Sequence, residues 1–191
     1  MNRGYHEIKE HGKREFPFNI YPCSIPVDFS HVALHWHEEM EIIAVKKGKG
    51  RITVDTVSYP VEEGDILAVF PGQLHAISCG NGERMEYENI IFRLSMLMGD
   101  NGDGCTVHFL KPLQEGQAKN PVLIQRNQPD HEVFGKVIQE LDRFSEIRGN
   151  GYQLAVKGQL FLFLYYAYGR GILFHKNTMC FLIAVRCFYQ I

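Results

Sequence analysis

From about Phe16 to Phe109 the chain is a succession of short runs rich in Val, Ile, Phe and Tyr, each closed by turn-forming residues. That pattern constrains the fold more than any other feature, because many short strands at regular spacing can close only into a sandwich or a barrel. The expected strands are Val32–His37, Met40–Lys47, Gly50–Val54, Val57–Val61, Asp65–Phe70, Leu74–Cys79 and Met85–Leu94. Between them stand Lys47-Gly48-Lys49-Gly50, Glu62-Glu63-Gly64-Asp65, Pro71-Gly72 and Gly80-Asn81-Gly82, all turn chemistry. Met98 to Pro121, rich in Gly, Asp, Asn and Pro with an apolar island at Val107–Leu110, reads as a long connection.

Beyond it the apolar period changes from two to three and four. Val133, Phe134, Val137, Ile138, Leu141 and Phe144 form one face of an amphipathic helix, with Asp130 as its N-cap and Gly149-Asn150-Gly151 as its stop. A second helix runs from Tyr152 to about Tyr168 and is apolar almost all round between Leu160 and Tyr166, so it must be buried. Its strip Val156, Leu160, Phe163 and Ala167 is either intramolecular core or a homodimer seam, and the seam is preferred. Gly169 to Ile191 has no clean period, and Met179 to Phe188 is a nearly apolar run broken by Arg186. It reads either as a third packed element or as a non-native tail.

Composition excludes several function classes. A formal net charge of -2 over 191 residues, with no cluster of basic side chains, argues against a surface that grips nucleic-acid phosphates. The five cysteines, Cys23, Cys79, Cys105, Cys180 and Cys187, are odd in number and contain no CxxC pair, which favours a reducing compartment. Met1 to Phe16 has no apolar signal segment, and the apolar stretch from Gly158 to Gly169 is too short to span a bilayer. A cytoplasmic protein with no membrane partner is expected.

The chemistry is concentrated in His35-Trp36-His37-Glu38-Glu39-Met40-Glu41. Residues i and i+2 of a strand face the same way, so His35 and His37 project together, and Glu41 keeps their parity. Pro71-Gly72-Gln73-Leu74-His75 turns the chain tightly and supplies a further imidazole from a later strand. Imidazoles and a carboxylate so disposed suit zinc, iron, nickel or manganese. Three readings of His35, His37, Glu41 and His75 are open: a metal centre, a metal-free polar lining for an effector, and histidines that satisfy buried backbone groups. The metal-free lining is preferred. By alternation Trp36 faces the other way and should pack against the following helices. Glu38 and Glu39 read as a solvated turn, Met96 and Met98 as loop or core filling, and Cys79 as a small buried hydrophobe.

His35-x-His37-x3-Glu41-x6-Gly48 fits the first cupin motif at every spacing, and Gly64-Asp65 followed by Pro71-Gly72-x2-His75 resembles the second. The second departs in the longer Gly-to-Pro interval, in the adjacent Pro and Gly, and in Cys79 where many cupin enzymes have Asn. The resemblance implies a mainly β fold: a cupin barrel (a double-stranded β-helix, jelly-roll-like) followed by a C-terminal helical pair. The phrase from His35 to Ile43, the Gly-bounded hairpin and the segment ending at His75 look like the sensor domain of AraC-type transcriptional regulators. That likeness implies a barrel over residues 1–121 that binds a small effector, often a carbohydrate, and a dimerising helical segment over 122–168. DNA would be read by a helix-turn-helix domain, for which residues 169–191 are too short. A truncated sensor is therefore expected, not an enzyme. The alternative is a small metal-dependent cupin enzyme, a dioxygenase or isomerase; the Trp between the two histidines and the trailing helices favour the sensor.

Overall fold

A computed structural model describes residues 3–118 and 120–171. The apolar run Met179–Phe188, Cys180 and Cys187 lie outside the described residues.

Eight strands form two antiparallel sheets: β1 (Phe18–Ile25), β2 (Val32–His35), β3 (Met40–Val54), β4 (Val57–Glu62), β5 (Ile66–Val69), β6 (His75–Ser78), β7 (Met85–Phe92) and β8 (Val122–Ile124). The first sheet has the order β1-β7-β3-β5-β8; in the second, β3 pairs with β4 and β6, and β6 pairs with β2. Strand β3 belongs to both. Its first half pairs with β5 and β7, and from Lys49 onward it pairs with β4 and β6. The sequence pattern predicts two strands here, split at Lys47-Gly48-Lys49-Gly50. Instead the chain passes through a register shift between Val45 and Lys47 and bends from one sheet into the other. Gly48 makes the bend possible: its φ is +78°, and a Cβ there would collide with the Arg84 carbonyl. The result is the expected double-stranded β-helix barrel with a helical pair at its C-terminal end.

Alternation along β3 assigns the two cores. Met40, Ile42 and Ala44 join a cluster with the helices, whereas Ile43 and Val45 join the cluster inside the barrel with Ile52, Leu67, Val69, Ile77 and Tyr87. Both faces of the first sheet are covered, so Met40–Val45 is buried without interruption. Glu41 shares the parity of Ile43 and Val45. It therefore points into the barrel, and only the barrel mouth can accommodate it.

Helices α2 (His131–Ile147) and α3 (Tyr152–Gly169) cover the outer face of the first sheet; they are preceded by a helical excursion in which a π-helical turn, Thr106–Leu110, runs into α1 (Lys111–Gln114). Strands β1 and β8 and this excursion have no place in the sequence reading, which took Met98–Pro121 as a connection. Buried Thr106, Leu110, Pro112 and Leu113 anchor the excursion on the core, while Val107 and Phe109 of the apolar island stay exposed, so the island alone did not reveal the inward face. Asp130 makes no side-chain cap to α2. Its carboxylate accepts from Arg170 Nη1 at 2.7 and 2.8 Å, while Arg170 Nη2 donates to the Leu123 carbonyl at 3.0 Å, so the end of α3 is tied to β8.

Val156, Leu160, Phe163 and Ala167 are fully buried within the single chain, and Phe163 meets Phe134 edge to face at 5.2 Å. The strip is intramolecular core, not a seam. Because α3 is apolar on all sides, its period could not reveal which face turned inward. The opposite face carries Leu154, Phe161, Leu162 and Tyr165, all exposed. Among the described residues no helix is long and apolar enough to cross a membrane.

Candidate metal and ligand site

His35 and His75 sit directly opposite each other on β2 and β6. The turn that delivers His75 is closed by Phe70 N–H donating to Gln73 Oε1 at 2.8 Å, and it is tied to the first motif by Gly72 N–H donating to the His37 carbonyl at 2.8 Å. One ligand atom from each of His35, His37, Glu41 and His75 lies within 4.8 Å of all the others. Ligands held at roughly 2.0–2.2 Å from one ion are at most about 4.4 Å apart. The four groups therefore need only a small adjustment to share a divalent cation. His37, Glu41 and His75 are buried and His35 is partly exposed, so the cluster opens at the mouth through His35.

Each imidazole is oriented from behind by a backbone carbonyl. His35 Nδ1 lies 2.9 Å from the Ala33 carbonyl, His37 Nδ1 3.2 Å from that of Glu39, and His75 Nδ1 2.9 Å from that of Gln73. A carbonyl can only accept, so each Nδ1 carries a proton and each Nε2 is turned to the shared centre. Metal-ligating histidines are oriented in this way. The same contacts give three backbone carbonyls a side-chain partner.

His37 Nε2 and His75 Nε2 stand 2.9 and 3.1 Å from the same oxygen, Glu41 Oε2. Burial opposes the charge on Glu41, but His75 and His37 outweigh it and hold the carboxyl far below its ordinary range. Burial likewise disfavours protonated His75, and Glu41 outweighs that, raising its pKa. Burial, reinforced by neighbouring His75, lowers the pKa of His35. Glu41 Oε2 thus faces two imidazole nitrogens at once. A divalent ion held there would balance the carboxylate's charge, and binding it would release protons from the ligand set.

Further groups stand around the cluster. Glu39, expected in a solvated turn, is buried, because Arg93 Nε at the end of β7 donates to its Oε1 at 2.7 Å. Glu38 is exposed as expected. Trp36 packs not on the helices but on the N-terminal arm: it stacks on His6 at 4.3 Å, and backbone bonds join Trp36 to Tyr5 and Glu7. That pairing carries Glu7 to the mouth, where its Oε2 is 3.6 Å from His35 Nε2 and 3.8 Å from His11 Nε2. His11 is 5% exposed, its Nδ1 is 3.2 Å from Tyr21 Oη, and its Nε2 has no hydrogen-bond partner. The neighbouring His11 imidazole is the largest cause holding the Glu7 carboxyl below its ordinary pKa. Glu7 and His11 are absent from the sequence reading, since only the arm's pairing with Trp36 brings them near. Cys79 is half-buried, with its Sγ near the Lys49 carbonyl.

Residues 26–164 match the family described as the AraC-like ligand binding domain. An HTH-type transcriptional regulator of Bacillus subtilis (strain 168), YdeC, is 27% identical over 88 residues, which is 46% of this chain and 30% of that protein. The chain thus spans less than a third of the length of that curated relative. Among solved structures, a cupin protein from Bacteroides fragilis is 25% identical, covering 45% of this chain and 70% of that one, at a TM-score of 0.34. Bacillus subtilis oxalate decarboxylase, studied for its Mn(II) centers, is 25% identical over 33% of this chain and 18% of its own, at a TM-score of 0.30.

Proposed function

This chain belongs to the AraC-like ligand-binding family, and on that premise we propose that it senses a small polar effector at a divalent metal centre held by His35, His37, Glu41 and His75. The observation that carries this reading is the convergence of four ligand atoms within 4.8 Å, with every imidazole fixed by a carbonyl behind it. A metal-free lining, preferred from sequence, would not require two Nε2 atoms to face one carboxylate oxygen so closely, with a third imidazole beside them. The bound ion supplies Lewis acidity and a coordination position for an oxygen of the effector. The protein's own groups orient the ligands, shield the centre, and offer Glu7 and His11 to whatever binds. A hydroxyl-rich molecule such as a carbohydrate fits this polar mouth.

In this reading the whole regulator reaches DNA through a helix-turn-helix domain, and works in the cytoplasm, where Cys23, Cys79 and Cys105 stay reduced. Dimerisation falls to the exposed face of α3, because the strip first considered is already covered. Leu154, Phe161, Leu162 and Tyr165 share that face, and pairing two copies would remove apolar surface at roughly 25 cal/mol per Å². Leu162→Asp should convert a dimer into a folded monomer by light scattering; a monomeric wild type refutes the seam.

The sensing role is tested by thermal shift. Protein loaded with a divalent metal is screened against sugars and polyols beside chelator-treated protein. The reading expects at least one ligand to raise Tm only when metal is present. Equal shifts with and without metal would return the site to a plain polar lining. A second reading, a metal-dependent cupin enzyme, draws on one observation, that three histidines and a carboxylate can leave coordination positions open for substrate. Turnover of a screened ligand by the loaded protein would favour it.

A further inference from the structure

The arm residue Glu7 has no role in binding the ion as described, yet its carboxylate stands in the mouth of the site beside the most exposed ligand, His35. Its neighbour His11 has a side chain only 2% exposed, aimed at Glu7 and lying 6.1 Å, ring to ring, from His37. His11 Nε2 is buried without a hydrogen-bond partner. A buried nitrogen left unsatisfied in this way costs stability unless something that binds there completes it. The mouth thus carries one acidic group beside His35, with a buried imidazole behind it.

We infer that Glu7 is the specificity-determining residue of this site, admitting neutral hydroxyl-bearing ligands and excluding carboxylates. The inference rests on the metal-centre reading and follows from counting charge. A divalent ion on three neutral imidazoles and ionised Glu41 leaves the centre at net +1, which would attract any small anion. Glu7 brings the mouth to net zero. A second carboxylate entering beside Glu7 meets like charge at close range, an interaction worth several-fold to more than a hundredfold in affinity, about 1–4 kcal/mol at 4 Å across the plausible range of screening. A hydroxyl has no such penalty: it can donate to Glu7. Glu10, on the same arm, is exposed and contacts none of the ligands by any interaction described, so it offers a control for general surface charge.

The full chain is loaded with Co(II), whose visible spectrum reports the ligand set, and titrated with malonate and separately with xylitol. Wild type should bind malonate weakly. Glu7→Gln should bind it at least tenfold more tightly, with a changed cobalt spectrum, and should bind xylitol no better. Glu10→Gln should behave as wild type. Matching far-UV spectra and unfolding midpoints confirm that each variant is folded. Unchanged malonate affinity in Glu7→Gln, or an equal gain in Glu10→Gln, overturns the inference while leaving the metal centre intact. No cobalt spectrum in folded wild type overturns the metal-centre reading and this inference with it.

Discussion

At the residue scale the site depends on who stands behind each ligand. Glu39 is the clearest case: its backbone carbonyl orients His37 while its carboxylate is held by Arg93. Arg93→Ala should leave a buried carboxylate without its partner. Full burial of both partners would make that a loss of 3–5 kcal/mol, but Arg93 is 47% exposed and solvent screens the pair, so a loss of about 1–2 kcal/mol is expected. Urea unfolding measures it, and a change below a few tenths of a kcal/mol would show that Glu39 finds other compensation. The HxH-x3-E spacing made His35, His37 and Glu41 legible from sequence. Yet β2 ends at His35 and β3 begins at Met40, so the turn between them, not one strand's parity, brings the three together. Glu39, of the same parity, was read instead as part of a solvated turn. Its burial depends on an arginine that lies 54 residues away along the chain. Glu7 and His11 were hidden for a similar reason, since the arm reaches the mouth only through its backbone pairing with Trp36.

At the element scale the central joint lies between α3 and the sheet. Leu160→Ala should cost about 2–5 kcal/mol through lost burial and the cavity left behind, whereas Leu162→Ala on the outer face should cost less than about 1 kcal/mol. Denaturant titration of the two variants at low protein concentration measures both, and the reverse order would contradict the placement of Leu160 in the core. The barrel is also tied to α2 by Lys46, which reaches Glu88 at 2.7 Å and Asp142 at 2.9 Å. Burial, with Asp142 adding to it, raises the Glu88 pKa despite Lys46. A raised carboxyl binds its proton more tightly when folded, so its contribution to stability falls as pH rises from about 4.5 through the folded value. Lys46 has the opposite position: burial lowers its pKa, and the bonds to Glu88 and Asp142 outweigh that and raise it. Its contribution is intact below about 10.5 and is lost only as pH climbs through the folded value. Stability should therefore decline in wild type as pH rises from about 4.5 through the folded Glu88 pKa, a decline that Glu88→Gln lacks; parallel curves would contradict this assignment. The helices themselves were legible as a period of three and four. The inward face of α3 was not, because a helix apolar all round carries no directional signal.

At the scale of the whole molecule, one bent strand makes the architecture. β3 enters as a central strand of one sheet and leaves as a central strand of the other, and the site lies at the end where β2, β3 and β6 meet. The turn residues pointed to a barrel, but Lys47 to Gly50 read as a break because a glycine at positive φ serves a bend and a hairpin equally well. With a net charge of -2 and no basic cluster, the chain should bind duplex DNA only weakly and with steep salt dependence. Sequence-specific nanomolar binding in a mobility-shift assay near physiological salt would contradict that. The central claim, however, is the metal centre, and stoichiometry tests it most directly. After loading with excess Zn(II) or Mn(II) and exhaustive removal of free ion, elemental analysis should find about one metal per folded chain. Folded His75→Ala should retain almost none. Wild type that retains no metal, or His75→Ala that retains as much as wild type, would contradict the account.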